Sequence, residues 1–145
     1  MGKKNASHDH ETKYVLTLSS EQARVVSRAC ELFTRLHIGQ LNELTWELMD
    51  FSHKDFCERR DAAEPLLRQL RQLYFPDLVL PGASYGVGSQ SHPDLDSDRA
   101  WDVYQVLRNV RAWHEHPEGG VSVDFHSPLP TSGETLASCE VKQNG

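Results

Sequence analysis

Residues 21–51 read EQARVVSRACELFTRLHIGQLNELTWELMDF, and apolar side chains recur along this stretch at three- and four-residue steps. The recurring positions are Val26, Cys30, Phe33, His37, Leu41, Leu44 and Leu48. This spacing places side chains on one face of an α-helix. It predicts one long helix over residues 21–51, and Ser19 with Gln22 matches a capping box at its start.

The hexapeptide RLHIGQ at residues 35–40 departs from the regular pattern of this helix. His37 falls on the apolar face, where a histidine needs a hydrogen-bond partner. Gly39 costs about 1 kcal/mol relative to alanine in a helix interior. The hexapeptide therefore predicts a bend or a close approach, together with a packed polar site. A buried histidine held by purely structural hydrogen bonds is the other interpretation of His37.

Two further helices are expected in the rest of the chain. Leucines recur over residues 62–74 before a proline, which predicts a second helix packed antiparallel to the first. Asp96 or Ser97 is predicted to cap a third helix that runs to about residue 114. Between them, residues 76–93 are rich in Gly, Pro and Ser and predict a long loop, a common place for binding residues.

Strand-forming residues occur in three short segments, at residues 14–18, 121–125 and 136–141. Alternation of apolar and polar residues there is typical of half-buried strands. The sequence therefore predicts an α+β fold with three main helices and a small antiparallel sheet. This single domain is expected over residues 13–145, after a disordered tail over residues 1–12.

Length and charge restrict the possible functions. The 145 residues suit one domain, and 21 acidic against 15 basic residues give a net charge of -6. This balance argues against general binding to duplex nucleic acid, which normally needs a basic surface. The three cysteines form no CxxC pair, and no apolar run is long enough for a membrane span or signal peptide. We expect a cytoplasmic protein.

The third predicted helix carries Trp101, Tyr104 and Arg108 at three- and four-residue steps. Aromatic rings can stack on bases, and a guanidinium can grip phosphate oxygens. This face predicts a nucleotide platform, provided that Arg35 and the loop residue Tyr85 converge on it. The alternative is an ordinary amphipathic helix with its rings in the core.

Other chemistry finds little support in the sequence. The segment His114-Glu115-His116 falls at a helix end and has no constrained metal-ligand spacing, so we expect no metal site. No serine or cysteine lies in a recognisable nucleophile motif. We expect no cofactor.

Several motifs together resemble a widespread family of small phage and prophage proteins. They are RLHIGQ at 35–40, YGV at 85–87, WDVYQVLR at 101–108, PEGG at 117–120, VDF at 123–125, Pro128 and TSGE at 131–134. This family is in turn similar to phage anti-CBASS sponges, which bind cyclic dinucleotide immune signals as oligomers without cleaving them. His126 departs from the pattern, because an acidic residue is expected there, and any role for that position is in doubt.

The resemblance implies an anti-defence protein of the host cytoplasm that sequesters a cyclic nucleotide and is not an enzyme. It implies a homo-oligomer whose subunits share a pocket. The ligand-binding residues would be Arg35, His37, Gln40, Tyr85, Trp101, Tyr104 and Arg108. Tyr104 or Trp101 would stack on a base, Arg35 and Arg108 would hold phosphates, and His37 and Gln40 would contact base edges or fix the arginines.

Two other classes of function stay open. One is a small nucleotide hydrolase that uses His37 with Asp102 or Glu118 as an acid and base pair. The other is an inhibitor that docks on a host protein through its acidic surface and exposed aromatic side chains.

Overall fold

A computed structural model describes residues 11–143, and all regular elements among them are helical. The elements are α1 (Ser20–His37), α2 (Glu43–Leu48), α3 (Phe56–Tyr74), α4 (Leu95–Glu115) and a 3-10 turn (Val123–Phe125). The predicted α+β class is therefore wrong. The predicted tail falls mainly on residues 1–10, which lie outside the described residues.

Helix α1 begins with the predicted capping box. The backbone nitrogen of Gln22 donates to Ser19 Oγ at 3.2 Å, and the Ser19 nitrogen donates to Gln22 Oε1 at 2.9 Å. The helix ends at His37, because Gly39 adopts φ +91°, a left-handed conformation that favours glycine. The predicted single helix over residues 21–51 is thus two helices, α1 and α2, separated at the hexapeptide.

The main packing in the molecule is between α1 and α4. Thr34 is completely buried there and donates its hydroxyl to the Ser97 carbonyl at 2.8 Å. Ser27 and Ser97 are also buried, and such small side chains let two helices approach closely. The predicted apolar stripe was wrong at Phe33, which is 41% exposed, and at Leu48, which is 77% exposed.

Helix α3 starts six residues before the predicted second helix and ends where predicted, at Tyr74. Helix α3 makes no extensive contact with any other helix of the described chain. The expected antiparallel packing of this helix on α1 is therefore wrong. Its ends are anchored instead: Phe56 is buried near the start, and Arg71 is buried near the end. Helix α4 starts at Leu95, after Asp94 accepts from the Ser97 nitrogen at 2.9 Å.

The expected sheet is replaced by an extended carboxy-terminal segment that lies along α4. Asn109 Nδ2 donates to the Asp124 and His126 carbonyls at 2.9 and 3.0 Å, and Gln105 Nε2 donates to the Leu129 carbonyl at 3.0 Å. These side-chain amides donate hydrogen bonds to backbone carbonyls of the segment. In a sheet, the same carbonyls would accept from a neighbouring strand.

The other two predicted strands are also absent from the described chain. Residues 14–18 have no regular secondary structure, and Tyr14 and Val15 are almost fully exposed. Residues 136–141 have no regular structure.

Candidate functional site

An open cleft of about 670 Å³ lies between the end of α1, α2, α3 and the loop at residues 81–84. Its charged lining consists of Arg35, Arg60, Arg68, Arg71, Glu43 and Glu64. The lining holds four cationic and two acidic side chains, and Glu31 and Asp61, which pair with Arg35 and Arg60, lie beside it. Three of the four arginines are thus paired with carboxylates, and Arg71 has no such partner within residues 11–143.

Arg71 is the most buried of these arginines, with 6% of its surface exposed. Its guanidinium donates to the Leu80 carbonyl at 2.5 Å and to the Ala83 carbonyl, which fastens the loop against α3. Within residues 11–143 it forms no ion pair with a carboxylate. A buried charge that has only carbonyl dipoles around it gains free energy when an anion comes near.

Arg35 enters the cleft from the last turn of α1. Its Nη2 lies 2.8 Å from Glu31, and its Nη1 donates to Gln40 Oε1 at 2.8 Å. Gln40 Nε2 then donates to Ser84 Oγ at 3.2 Å across the cleft. The hexapeptide therefore connects α1 to the loop through a chain of side-chain hydrogen bonds.

Arg60 and Arg68 project from α3 and are paired only with carboxylates of the same helix. Arg60 lies 2.9 Å from Asp61 and above the Phe56 ring, and Arg68 lies 2.9 Å from Glu64. Exposed pairs of this kind stabilise a fold by less than about 1 kcal/mol. Both guanidinium groups can therefore turn toward a ligand at little cost.

The cleft also has an apolar wall formed by Trp46 and Leu67. Trp46 is about half exposed, and its ring packs against Phe56 with centroids 5.7 Å apart. An indole face held in this way is a suitable surface for stacking a base. Arginines and a tryptophan in one cleft suit a ligand that has both anionic groups and a flat ring.

No histidine or cysteine is among the lining residues of the cleft. Across residues 11–143, no group of three or more His, Cys, Asp and Glu side chains is placed to hold a metal ion.

His37 lies outside the cleft lining and pairs with Asp94 at the start of α4. Its Nδ1 donates to Asp94 Oδ2 at 2.5 Å, and its ring stacks on Phe33 with centroids 4.0 Å apart. The hydrogen bond from His37 lowers the pKa of the Asp94 carboxyl, partial burial opposes this, and the bond from the Ser97 nitrogen adds to the lowering. These partners agree with a structural role for His37, but its side chain is 38% exposed, so the expected burial is wrong.

Tyr85 also has partners within the chain. Its ring is stacked on His92 at 4.0 Å with 7° between the planes, and its backbone nitrogen donates to the Ile38 carbonyl at 2.9 Å. His92 Nε2 in turn donates to the His37 carbonyl at 3.2 Å. These contacts attach the long loop to the end of α1. Carbonyl groups at the end of a helix have no partner within the helix, and here the loop provides donors for them.

The three residues predicted to form a platform on α4 lie together, but none of them lines the cleft. The rings of Trp101 and Tyr104 are 4.8 Å apart, and the Arg108 guanidinium lies 4.9 Å from the Tyr104 ring. Arg108 is near Asp124 at 3.6 Å, its side chain is 16% exposed, and its Nε has no hydrogen-bond partner among the described residues. Of the seven predicted site residues, only Arg35 and Gln40 line the cleft.

The acidic residues considered for a hydrolase have other positions. Asp102 is buried and accepts from the backbone nitrogens of Thr131 and Ser132 at 2.7 and 3.2 Å. Glu118 is exposed beside His116, at the end of α4. The carboxylate that contacts His37 is Asp94.

Sequence reasoning did not identify Trp46, Arg60, Arg68 and Arg71. A signal was present, because Arg60, Glu64, Arg68 and Arg71 follow one another at steps of four, four and three residues. These steps place them on one face of α3. The predicted second helix begins after Arg60 but includes Arg68 and Arg71, and only its leucine face was interpreted.

Comparison of the chain with protein-family models, characterised proteins and solved structures finds no match. Among the described residues, no helix is both long and apolar enough to cross a membrane.

Proposed function

We propose that this protein binds a cyclic mono- or dinucleotide signal in the arginine cleft and sequesters it without cleaving it. The observation that carries the proposal is Arg71, a buried cation without a carboxylate partner in the described chain, at the wall of a cleft that also holds Arg35, Arg60 and Arg68. Guanidinium groups bind phosphate oxygens, as they bind carboxylates, through two parallel hydrogen bonds.

The rest of the cleft supports a nucleotide over a simple inorganic anion. Trp46 presents a ring face for a base, and Gln40 and Ser84 present amide and hydroxyl groups for base edges or ribose. A volume of about 670 Å³ lies within the ordinary range of small-molecule pockets, about 300 to 1,000 Å³.

The biological setting is proposed from the resemblance of the sequence motifs to the phage and prophage family. In this proposal the protein is phage- or prophage-encoded, acts in the host cytoplasm, and prevents an immune signal from reaching its effector. We also propose that copies of the chain self-associate, as the resemblance implies. A host-protein inhibitor does not require an arginine-lined cleft, whereas a nucleotide hydrolase would also use one, and recovery of the nucleotide separates the hydrolase from sequestration.

The test is thermal melting of the purified protein against cyclic mono-, di- and trinucleotides and linear nucleotides. A ligand at 100 times its dissociation constant adds roughly 2.7 kcal/mol, which raises the melting temperature of a chain of this size by roughly 8 °C. The nucleotide is then released by heat and identified by mass.

A large shift with the nucleotide returned intact supports sequestration. A shift with the nucleotide converted to product makes the protein an enzyme, and the absence of a shift with any nucleotide refutes the proposal. In the last case, a host protein recovered in stoichiometric amounts from lysate would support the inhibitor.

A further inference from the structure

Gln40 and Ser84 form a polar wall of the cleft, and Arg35 fixes how this wall can hydrogen-bond. A guanidinium has only donors, so the Gln40 atom that lies 2.8 Å from Arg35 Nη1 must be the carbonyl oxygen Oε1. The amide nitrogen Nε2 therefore points to the other side and donates to Ser84 Oγ at 3.2 Å. Turning the amide over would place its hydrogens against those of Arg35.

Both members of the wall have a hydrogen left to donate. The Gln40 amide nitrogen carries two hydrogens, and Ser84 accepts one of them. Within residues 11–143, the Ser84 hydroxyl donates to no other group, and a hydroxyl that already accepts a bond is the better donor for it. Ser84 is exposed to the cleft that it lines. The wall therefore offers two neighbouring donors to a ligand.

Two loop carbonyls and both carboxylates of the cleft lining already have cationic partners. The pairs are Leu80 and Ala83 with Arg71, Glu64 with Arg68, and Glu43 with Arg35. Asn42 also lines the cleft, but within residues 11–143 no hydrogen bond fixes its amide, which can turn either end toward a ligand. The fixed groups thus present donors, and a ligand that binds them must present acceptors.

From this excess of donors we propose that the nucleotide bound in the cleft carries guanine, read through its N7 and O6 atoms. The inference rests on the proposed function and adds the identity of the base. Guanine has two adjacent acceptors on this edge, and arginine side chains also bind that pair of atoms. Adenine has N7 beside an amino donor, which would face a second donor of the wall.

The donors of the wall are held in place before a ligand arrives. The Gln40 backbone nitrogen donates to the Arg35 carbonyl at 2.9 Å. The residues on either side of Ser84 are also fixed, through the Ala83 carbonyl and the Tyr85 backbone nitrogen. Donors that cannot easily turn away discriminate better between bases, because an unmatched base leaves them unpaired.

The test is titration calorimetry of the full chain with two matched pairs, cyclic GMP against cyclic AMP and cyclic di-GMP against cyclic di-AMP. The members of a pair share their phosphates and riboses, so the ratio of their dissociation constants reports on the base. The guanine member should bind at least about tenfold tighter. Cyclic IMP, which keeps N7 and O6 but lacks the 2-amino group, should bind within about threefold of cyclic GMP. A 7-deaza cyclic GMP should bind more weakly than cyclic GMP.

Gln40→Glu tests the direction of the hydrogen bond. One carboxylate oxygen stays on Arg35, and the other can only accept, so the preference for guanine over adenine should fall at least about tenfold. The added charge affects both members of a pair equally, and the ratio removes it. Gln72→Glu adds the same charge at an exposed position outside the cleft lining and should keep the wild-type ratio.

Ser84→Ala is the second variant, and it removes the other donor at an exposed position. The preference for guanine should fall, while circular dichroism should show an unchanged helix content. This variant keeps the test valid if Gln40→Glu does not fold.

Three results would overturn the inference while sequestration stood: adenine nucleotides that bind as tightly as guanine nucleotides, variants at Gln40 and Ser84 that both keep the wild-type ratio, or cyclic IMP that binds as weakly as cyclic AMP. If neither pair binds, nor any other nucleotide, the proposed function fails and the inference fails with it.

Discussion

Gly39 has a backbone that only glycine adopts readily, and it has almost no space beside it. Its φ is +91°, and a Cβ built there would lie 2.5 Å from Leu78 Cδ1. The segment after α3 thus packs directly on the backbone where α1 ends. The close approach expected from the RLHIGQ sequence is made by this segment.

Gly39→Ala should lower the free energy of unfolding by roughly 1 to 3 kcal/mol, because a left-handed conformation is strained for alanine and Leu78 must move. Urea denaturation measures the change. Gly82→Ala is the matched control, since its Cβ would meet nothing within 4 Å, and it should change stability by less than about 0.5 kcal/mol. Equal effects of the two substitutions would contradict the close approach.

The Asp94 carboxyl makes stability depend on pH in a defined direction. Its pKa is lowered in the folded chain, chiefly by the hydrogen bond from His37. A lowered folded-state pKa contributes stability above the unfolded value, about 3.9, and this contribution is lost as pH falls through the folded value.

Asp94→Asn should therefore flatten the loss of stability at acid pH, as followed by urea denaturation between about pH 5 and pH 2. Asp77→Asn removes an exposed carboxylate that accepts no hydrogen bond among the described residues, and it should retain the wild-type slope. An unchanged slope for Asp94→Asn would show that the His37 bond does not form in solution.

Helix α4 holds the carboxy-terminal segment through polar side chains on one face. Asp102, Gln105 and Asn109 follow at steps of three and four residues, and together they bond to backbone groups between Asp124 and Ser132. A helix thus satisfies backbone groups that would otherwise require a neighbouring strand.

Asp102→Ala should lower the free energy of unfolding by roughly 3 kcal/mol, because it leaves three partly buried donors of Thr131 and Ser132 without an acceptor. Hydrogen exchange at the Thr131 and Ser132 amides should accelerate as well. Asp96→Ala removes an exposed carboxylate that pairs with Arg99 on the same helix, and its effect should stay within about 0.5 kcal/mol. Slow exchange at Thr131 in the Asp102 variant would mean that the segment is held in another way.

At the scale of the molecule, two cationic regions compete as the place where a nucleotide binds. The cleft holds Arg68, whose ion pair with Glu64 is exposed. The α4 platform holds Arg108, whose side chain is mostly buried between Tyr104 and Asp124. Since their arginines differ in burial, substitutions can separate the two.

Arg68→Ala should raise the dissociation constant for the bound nucleotide by about 10- to 100-fold, the expected effect of losing a hydrogen bond to a charged group. Arg24→Ala, which removes an equivalent exposed arginine paired with Glu21, should leave the affinity unchanged. Titration calorimetry measures both.

Arg108→Ala separates the two regions. If the nucleotide binds in the cleft, this variant should lose stability but keep its affinity in the folded fraction. Loss of affinity in the Arg108 variant but not in the Arg68 variant would move the site to α4.

The sequence by itself determined the features that depend on near neighbours in the chain. Capping at Ser19, the approximate extent of α4 and the end of α3 at Tyr74 follow from local hydrogen bonding and backbone preference. At Gly39 the sequence predicted a bend within one helix, whereas the structure has two helices. Spacing alone also brought Trp101, Tyr104 and Arg108 together on one face.

Only the tertiary structure decided which faces are buried and which residues converge. Burial of Thr34 and Ser97 depends on how closely α1 meets α4, and the absence of a sheet depends on which distant groups accept the backbone hydrogen bonds. The cleft joins Arg35 to Arg71 across a loop. The proximity of residues from different elements depends on how those elements pack. It cannot be predicted from the spacing of residues within one helix.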